Sequence, residues 1–332
     1  VVLCAALVSG GIYADDLLDV YNLALKNDPT FQGAQAQWMA DQQNLPMAKA
    51  GYRPIIDLSG TASASFYNQG NYPGKNHVST SYPRSYTLAI SQPLIDFSAW
   101  DTIDVADYGV KAATATYAAS VGDLMMRVAN AYFTVLAAYD TVDYDAQYLA
   151  ELQETLNTSR QQYKVGLIAI TPVMQAQSQF DQQTAQVIAD KNSLSDALEA
   201  LNAITKKQYT SLSGIASKVP LVTPQPNDID QWVQGAVSQN NSLQAANYTT
   251  LAAKKQIKAD AAGRYPTLSI GAGVDAGEAS TTGDDGNYDR TAAASVSAVS
   301  LSLDFPMYQG GLVSATTKQD RYLYLQAAAS LD

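Results

Sequence analysis

A proline-punctuated pair of extended segments occurs twice in this chain, and a sequence that repeats such a unit cannot be arranged around a single globular core. The first copy opens at Ala50-Gly51-Tyr52-Arg53-Pro54 and closes at Leu88-Ala89-Ile90-Ser91-Gln92-Pro93-Leu94. The second opens at Ala262-Gly263-Arg264-Tyr265-Pro266 and closes at Leu301-Ser302-Leu303-Asp304-Phe305-Pro306-Met307. Pro54 and Pro266 lie 212 residues apart, Pro93 and Pro306 lie 213 apart, and helical sequence surrounds both copies. The unit is therefore helix, β-hairpin, long helix, duplicated within one polypeptide.

Between the prolines the apolar period is two. Ile56, Leu58, Gly60, Ala62, Ala64 and Phe66 fall on one face of an extended segment, and Asp57, Ser59, Thr61, Ser63, Ser65 and Tyr67 fall on the other. Such a segment from Ile55 to Tyr67 exceeds the 9 to 11 residues that a tilted membrane strand requires. Tyr82 to Gln92 is the predicted return strand, and Thr267 to Gly277 with Thr291 to Phe305 form the second pair. The apolar phase slips between Ala298 and Val299, which predicts a bulge there or the end of the membrane portion. Asn68 to Ser81 and Glu278 to Arg290 are polar and Gly-containing, as expected of outward-facing barrel loops.

The helical sequence is long. Two short helices, Asp15 to Lys26 and a second from Pro29 to about Gly51 with Asp28 as N-cap, precede the first hairpin. Asp228 and the Asn240-Asn241-Ser242 break repeat that layout in the second copy. After Pro93, apolar residues recur at spacings of three and four from Ile103 to Leu156, with a stutter at Ala113, Tyr117 and Val121. A helix from Ala99 to Gln162 would reach roughly 95 Å, far more than a globular domain uses. Gly166 is a natural left-handed stop, Thr171-Pro172 caps and starts the return helix, and Val173 to Ile204 continues the seam with Gln183 and Asp190 as polar exceptions. Residues 206–227 form an irregular excursion.

Four strands per chain cannot close a barrel, since the smallest outer-membrane barrels have eight. Open strand edges in hydrocarbon would leave backbone groups unsatisfied at several kcal/mol each. Several copies must pool their strands, and the Ser, Thr and Asp face would then line a wet lumen. Composition agrees: only 15% of residues are charged, and the 21 tyrosines suit membrane-water boundaries. The net charge of −11 disfavours nucleic acid as a partner. Residues 1–14 read as a signal-peptide remnant that includes Cys4, the only cysteine, leaving an exported protein without thiols.

The chain resembles the TolC family of outer-membrane efflux and type I secretion channel-tunnels. The resemblance is carried by Tyr163-Lys164-Val165-Gly166-Leu167-Ile168-Ala169-Ile170-Thr171-Pro172-Val173 with Gln177-Ser178-Gln179-Phe180-Asp181, and by the strand exits Ser91-Gln92-Pro93-Leu94-Ile95-Asp96 and Phe305-Pro306-Met307-Tyr308-Gln309-Gly310-Gly311. It implies a homotrimer with a twelve-stranded β-barrel in the outer membrane and a helical periplasmic tunnel. It also implies docking to a periplasmic adaptor (membrane fusion) protein and an inner-membrane transporter. The fold class is mainly α with β: long antiparallel coiled-coil α-hairpins forming an α-barrel, plus two β-hairpins contributing to an oligomeric transmembrane β-barrel. The predicted domains are 15–227 (β-hairpin 55–92, helical hairpin 99–205, equatorial segment 206–227) and 228–332 (β-hairpin 267–305 and the start of a second long helix). By the repeat arithmetic, roughly 100 further residues would complete the second copy. By resemblance, Val165, Gly166 and Leu167 are the adaptor-contact tip and Thr171 and Pro172 belong to the periplasmic entrance, Pro172 standing where the family commonly has an acidic residue. Within the chain itself, Gly166 also ends a helix and Leu167 could cap the seam. Pro54, Pro93, Pro266 and Pro306 mark the barrel-to-helix junctions.

No enzyme, cofactor or metal is predicted. His77 is the only histidine and sits in a polar loop, and Asp284-Asp285-Gly286-Asn287-Tyr288-Asp289 lacks calcium-loop spacing and a closing Glu. No Ser/His/Asp or Cys/His set is available for nucleophilic chemistry once Cys4 is removed. An alternative, a trimeric surface stalk or adhesin, predicts one strand block at the C-terminus, whereas two blocks here interrupt the helices.

Overall fold

The computed structural model describes residues 15–69, 77–215, 224–283 and 290–331, so the signal remnant and the Asp284–Asp289 loop lie outside the described residues. The chain divides into two compact units, the first comprising residues up to Trp38 with Thr116–Asn240, the second Met39–Ala115 with Asn241–Asp332.

In the first unit, helix α1 (Leu17–Asn27) is capped by Asp16, whose carboxylate accepts from the Asp19 N–H at 2.8 Å. Helix α2 (Pro29–Gln42) starts where the sequence places it: the Asp28 carboxylate accepts from the Phe31 N–H at 2.7 Å, and Pro29 occupies the first position. Val20, Ala24 and Phe31 pack with Leu124, Val128, Tyr132 and Val135 of the long helix α4 (Phe97–Lys164) and Leu201 of α5 (Ile170–Thr205). The seam of α5 buries Val173, Ala176, Val187, Ala197 and Leu201 as its spacing requires. Of its polar exceptions, Gln183 donates to Asp145 at 2.8 Å, whereas the buried Asp190 accepts from Gln186 at 2.8 Å on Oδ1 and its Oδ2 has no partner. Lys206, not glycine, closes α5 in the left-handed region at φ 58°, and α6 (Ile229–Gln239) is capped by Asp228 as expected.

In the second unit, the helix expected to run unbroken from Pro29 to Gly51 is interrupted at Gln43, and α3 (Asn44–Ala50) follows. Pro46 explains the break, because it has no N–H to donate to residue 42 and its ring crowds that carbonyl. Helix α7 (Asn241–Ala261) ends in a 3-10 turn, Ala262–Arg264, and α8 (Leu312–Ala329) follows the second strand pair.

The strands form one antiparallel sheet in the order β1-β3-β4-β5, from β1 (Ile55–Ala62), β3 (His77–Ile95), β4 (Thr267–Gly283) and β5 (Arg290–Asp304), with β2 (Ser65–Gln69) also paired to β3. The single strand expected from Ile55 to Tyr67 is split at residues 63 and 64, although its register continues from Ala62 opposite Arg84 to Ser65 opposite Ser81. The gap faces Pro83: Ser63 donates to the Pro83 carbonyl at 3.0 Å, and proline has no N–H to return the bond. Strand structure also extends into both segments expected to be loops, so His77 opens β3. Of the two expectations at the Ala298–Val299 phase slip, a bulge or the end of the membrane portion, the bulge is absent, since β5 stays in continuous register with β4; the irregularity falls between Pro93 and Ile95.

The Asp28 carboxylate, 1% exposed, is joined by Arg127 at 2.7 Å. Burial alone would raise its pKa, but the hydrogen bond from Arg127, the Phe31 N–H and the guanidinium charge together hold it below the ordinary carboxylate value. A depressed folded pKa contributes stability above the unfolded value, and that contribution is lost as pH falls through the folded pKa. Asp28→Ala, which removes the cap and strands Arg127, should cost about 2–3 kcal/mol at neutral pH in detergent unfolding measurements, with the deficit shrinking on acidification below pH ~4.

Candidate functional site: the hairpin tip and the membrane sheet

The tip between α4 and α5 is built by a helix stop. Gly166 has φ 77°, its N–H bonds to the Tyr163 carbonyl at 3.0 Å, and the Leu167 N–H reaches the Gln162 carbonyl at 2.9 Å. This pair of bonds is the Schellman arrangement, which satisfies the last carbonyls of a helix while turning the chain. Ile168, not Leu167, closes the seam, packing against Leu156, Val173 and Ala176. Val165 and Leu167 are left 71% and 74% exposed, two apolar side chains held outward by a rigid turn. Helix α5 begins at Ile170 behind Ala169, so Thr171 is not its cap as expected; it and Pro172 fall in the first turn, both exposed. Proline is tolerated there because first-turn N–H groups have no intrahelical acceptor.

The sheet has two chemically distinct faces. Cross-strand partners share a face, so the register groups Ile56 with Ile90, Ala272 and Val299, then Leu58 with Leu88, Val274 and Ser297 in the next row. Leu303 and Leu301 extend this face at one end; at the other, the row of Ala62, Arg84, Glu278 and Ala293 ends it with an ion pair at 3.6 Å. From Leu268 to Ala276 the apolar band is roughly 26 Å along the strand, the reach of a tilted membrane strand. The opposite face carries Asp57, Ser59, Thr61, Ser85, Thr87, Ser91, Asp275 and Ser300, with Thr87 donating to Asp275 at 3.0 Å. Side chains would be tight at its glycines: a Cβ on Gly277 would fall 3.2 Å from the Arg84 carbonyl, and one on Gly273 3.3 Å from that of Leu88. Alanines and Val296 also reach this face from β5, which explains the phase slip without a bulge.

The four prolines lie at the helix end of the sheet. Pro54 and Pro266 immediately precede β1 and β4, Pro306 follows β5, and Pro93 sits at the irregularity in β3. A feature not read from the sequence surrounds them. Phe97 contacts Trp100 and Tyr265 edge-on at 5.2 and 5.6 Å between centroids, and Tyr52 contacts Trp100 at 5.8 Å. The Tyr52 hydroxyl donates to the Leu94 carbonyl at 3.0 Å, and Gln92 donates to the Tyr52 and Pro93 carbonyls at 2.7 Å. Amphipathic rings with one satisfied polar end are what a membrane-water boundary selects. The repeat holds a signal for them: Tyr52 and Tyr265 are 213 residues apart, the spacing of the second proline pair. Among the described residues, no group of three or more His, Cys, Asp or Glu side chains could hold a metal ion, and no helix is long and apolar enough to cross a membrane, which does not bear on a β-barrel.

A family model described as "Outer membrane efflux protein" matches residues 20–205. The outer membrane protein TolC of Vibrio cholerae is 29% identical over 331 residues, covering 98% of this chain and 72% of that protein. The proteases secretion protein PrtF of Dickeya chrysanthemi is 27% identical over 334 residues, covering 98% of this chain and 71% of that one. Among solved structures, CusC superposes with a TM-score of 0.75 at 15% identity over 96% of this chain and 72% of its own, which shows the fold. The chain spans 64% to 72% of the length of the curated relatives it matches. Matching sequence, sheet and helical hairpin together, the chain belongs to the outer membrane efflux protein family, and its place is the outer membrane.

Gly166→Ala tests the tip. Nothing lies within 4 Å of the added Cβ, so the whole cost is backbone strain at positive φ, about 1–2 kcal/mol. Hydrogen exchange read by mass spectrometry should show faster exchange at the tip and the last turn of α4, with the sheet unchanged.

Proposed function

We propose that this protein is the outer-membrane duct of an export system, either a tripartite efflux pump or a type I secretion apparatus. In this reading three copies share one barrel, a periplasmic adaptor grips the helical tip, and an inner-membrane transporter supplies the energy. The observation that carries it is the sheet: its apolar face is exposed, with Ile56 at 68%, Leu58 at 78% and Val299 at 76%, while β1 and β5 each have a neighbour on one side only. Within lipid every backbone N–H and C=O must be paired, so β5 of one copy requires β1 of the next. The alternation of strand direction in the order β1-β3-β4-β5 makes that junction antiparallel, like the others. Support for a duct comes from the Ser, Thr, Gly and Asp face, which can line water. Support for either export system comes from relatives named for an outer membrane protein and for secretion of proteases.

The duct does no chemistry of its own. Substrate choice falls to its partners, and its coupling to them falls to Val165, Gly166 and Leu167, where two exposed apolar side chains flank a fixed turn. Thr171 and Pro172 belong to the entrance region beside this tip; without an acidic side chain at position 172, a polar latch from that residue to a neighbouring copy is unavailable.

The intact protein should migrate as a detergent-resistant trimer and restore export to cells lacking their own duct. Val165→Asp with Leu167→Asp should leave the trimer and its thermal stability within about 0.5 kcal/mol, because both sites are exposed, yet reduce export at least tenfold. A water-soluble monomer would end the reading, and full export by the double variant would end the tip assignment.

A further inference from the structure

Helices α7 and α8 meet along a seam of small residues in which Ala259, Ala262 and Thr317 are buried and Gly263 lies beside Val313. One member of this seam is out of place. Asp320, on α8, is 7% exposed, and its Oδ2 has no hydrogen-bond partner. The group that acts on it is a second carboxyl, Asp260 of α7, whose Oδ1 also accepts from Gln256 at 3.1 Å. Among the described residues, no cation forms an ion pair with either carboxylate. Lys254, Lys258, Lys318 and Arg321 on the same two helices are exposed, Arg264 of the 3-10 turn is exposed, and Lys255 is engaged by Asp104 of α4 at 2.6 Å.

A buried carboxylate with an unpartnered oxygen and a half-buried second carboxyl acting on it cannot both stay ionised without cost, and one proton between them removes the repulsion and supplies a donor. We infer that Asp260 and Asp320 form a proton-binding site, and that a single shared proton clamps α8 to α7 directly below the sheet. The described residues offer only these two carboxylates, which suits a proton better than a metal ion. Position gives the site leverage: α8 follows β5 through Pro306 and the two left-handed glycines, Gly310 and Gly311, so the clamp sets how firmly the helix leaving the sheet is held.

The direction follows from linkage. Burial first, then the hydrogen bond and charge of Asp260, push the Asp320 carboxyl from 3.8 up to about 6. The closed seam therefore binds its proton more tightly than an opened one; the clamp is fully engaged below pH ~4 and is lost as pH rises through about 6. The ratio of closed to open α8 should fall on the order of 100-fold across that interval. This site stands whether or not the duct reading holds, since it concerns one helix pair within the chain.

The test is hydrogen exchange of α8 amides in the purified protein in detergent, from pH 4.5 to 7.5, corrected for intrinsic rates and referenced to α5. Wild-type protection in α8 should fall with rising pH, whereas Asp320→Asn should be flat and better protected than wild type at pH 7.5. Asp260→Asn, which keeps the acid on α8 but removes the opposing charge, should move the fall to lower pH; it also carries the test should Asp320→Asn fail to fold. Identical profiles for wild type and a folded variant would overturn the inference. So would recovery of wild-type protection at pH 7.5 on adding millimolar magnesium or calcium, which would make the pair a metal site.

Discussion

Backbone hydrogen bonding without water is the constraint from which the rest of this structure follows. A sheet of the order β1-β3-β4-β5 leaves one row of N–H and C=O groups open on β1 and another on β5, and inside a bilayer no solvent can satisfy them. Covering those rows with a helix or loop would serve a soluble protein, but here the strand face beside them is itself apolar and bare. The proposed closure with further copies would meet both requirements together, paired edges and a lipid-facing surface. The strand directions permit it, and glycines set tightly against neighbouring carbonyls keep the polar side of the sheet free of bulk.

The duplication visible in the sequence acquires its purpose from the pairing of β3 with β4. These strands come from different copies of the repeat, and the register between them runs from Ser79 opposite Gly283 to Ile95 opposite Leu268. The two copies thus form one continuous sheet, and the internal β3–β4 joint is the model for the proposed joint between chains. Local pattern could not reveal this, because period-two alternation specifies which face a residue takes and says nothing about which strand lies alongside. The alternation did mark the strands, and the prolines marked their helix-side ends. It understated their length toward the loops, where Ser, Thr and Gly obscure the period although the backbone continues to pair.

Helices were legible for a different reason. Caps and stops act within four residues, so Asp28 with Pro29, Asp228, and Gly166 could be placed from the sequence alone, and the seam of α5 follows from spacing. The break at Gln43 was missed although its cause, Pro46, is equally local. At the tip, spacing could not decide whether Leu167 or Ile168 closes the seam. The Schellman turn decides it by rotating Leu167 outward, and this leaves Val165 and Leu167 as an exposed apolar pair at the tip. The aromatic cluster around Trp100 combines residues from both repeats, and only the repeat spacing of Tyr52 and Tyr265 hinted at it.

The buried aspartates show where sequence reading stops. Asp28 and Asp320 are the same residue type, and each is enclosed. One faces Arg127, 99 positions away, and its carboxyl is held ionised; the other faces Asp260, and its carboxyl is pushed toward the protonated form. Desolvation penalises the charge in both cases, so the sign of the shift is set by the partner alone. Neither partner is identifiable from spacing, since both arrive from another helix at a distance no local period encodes. A chain with so few charges can place one carboxylate as a fixed anchor and another as a site that answers to pH, and the difference between them is which side chain the fold brings opposite.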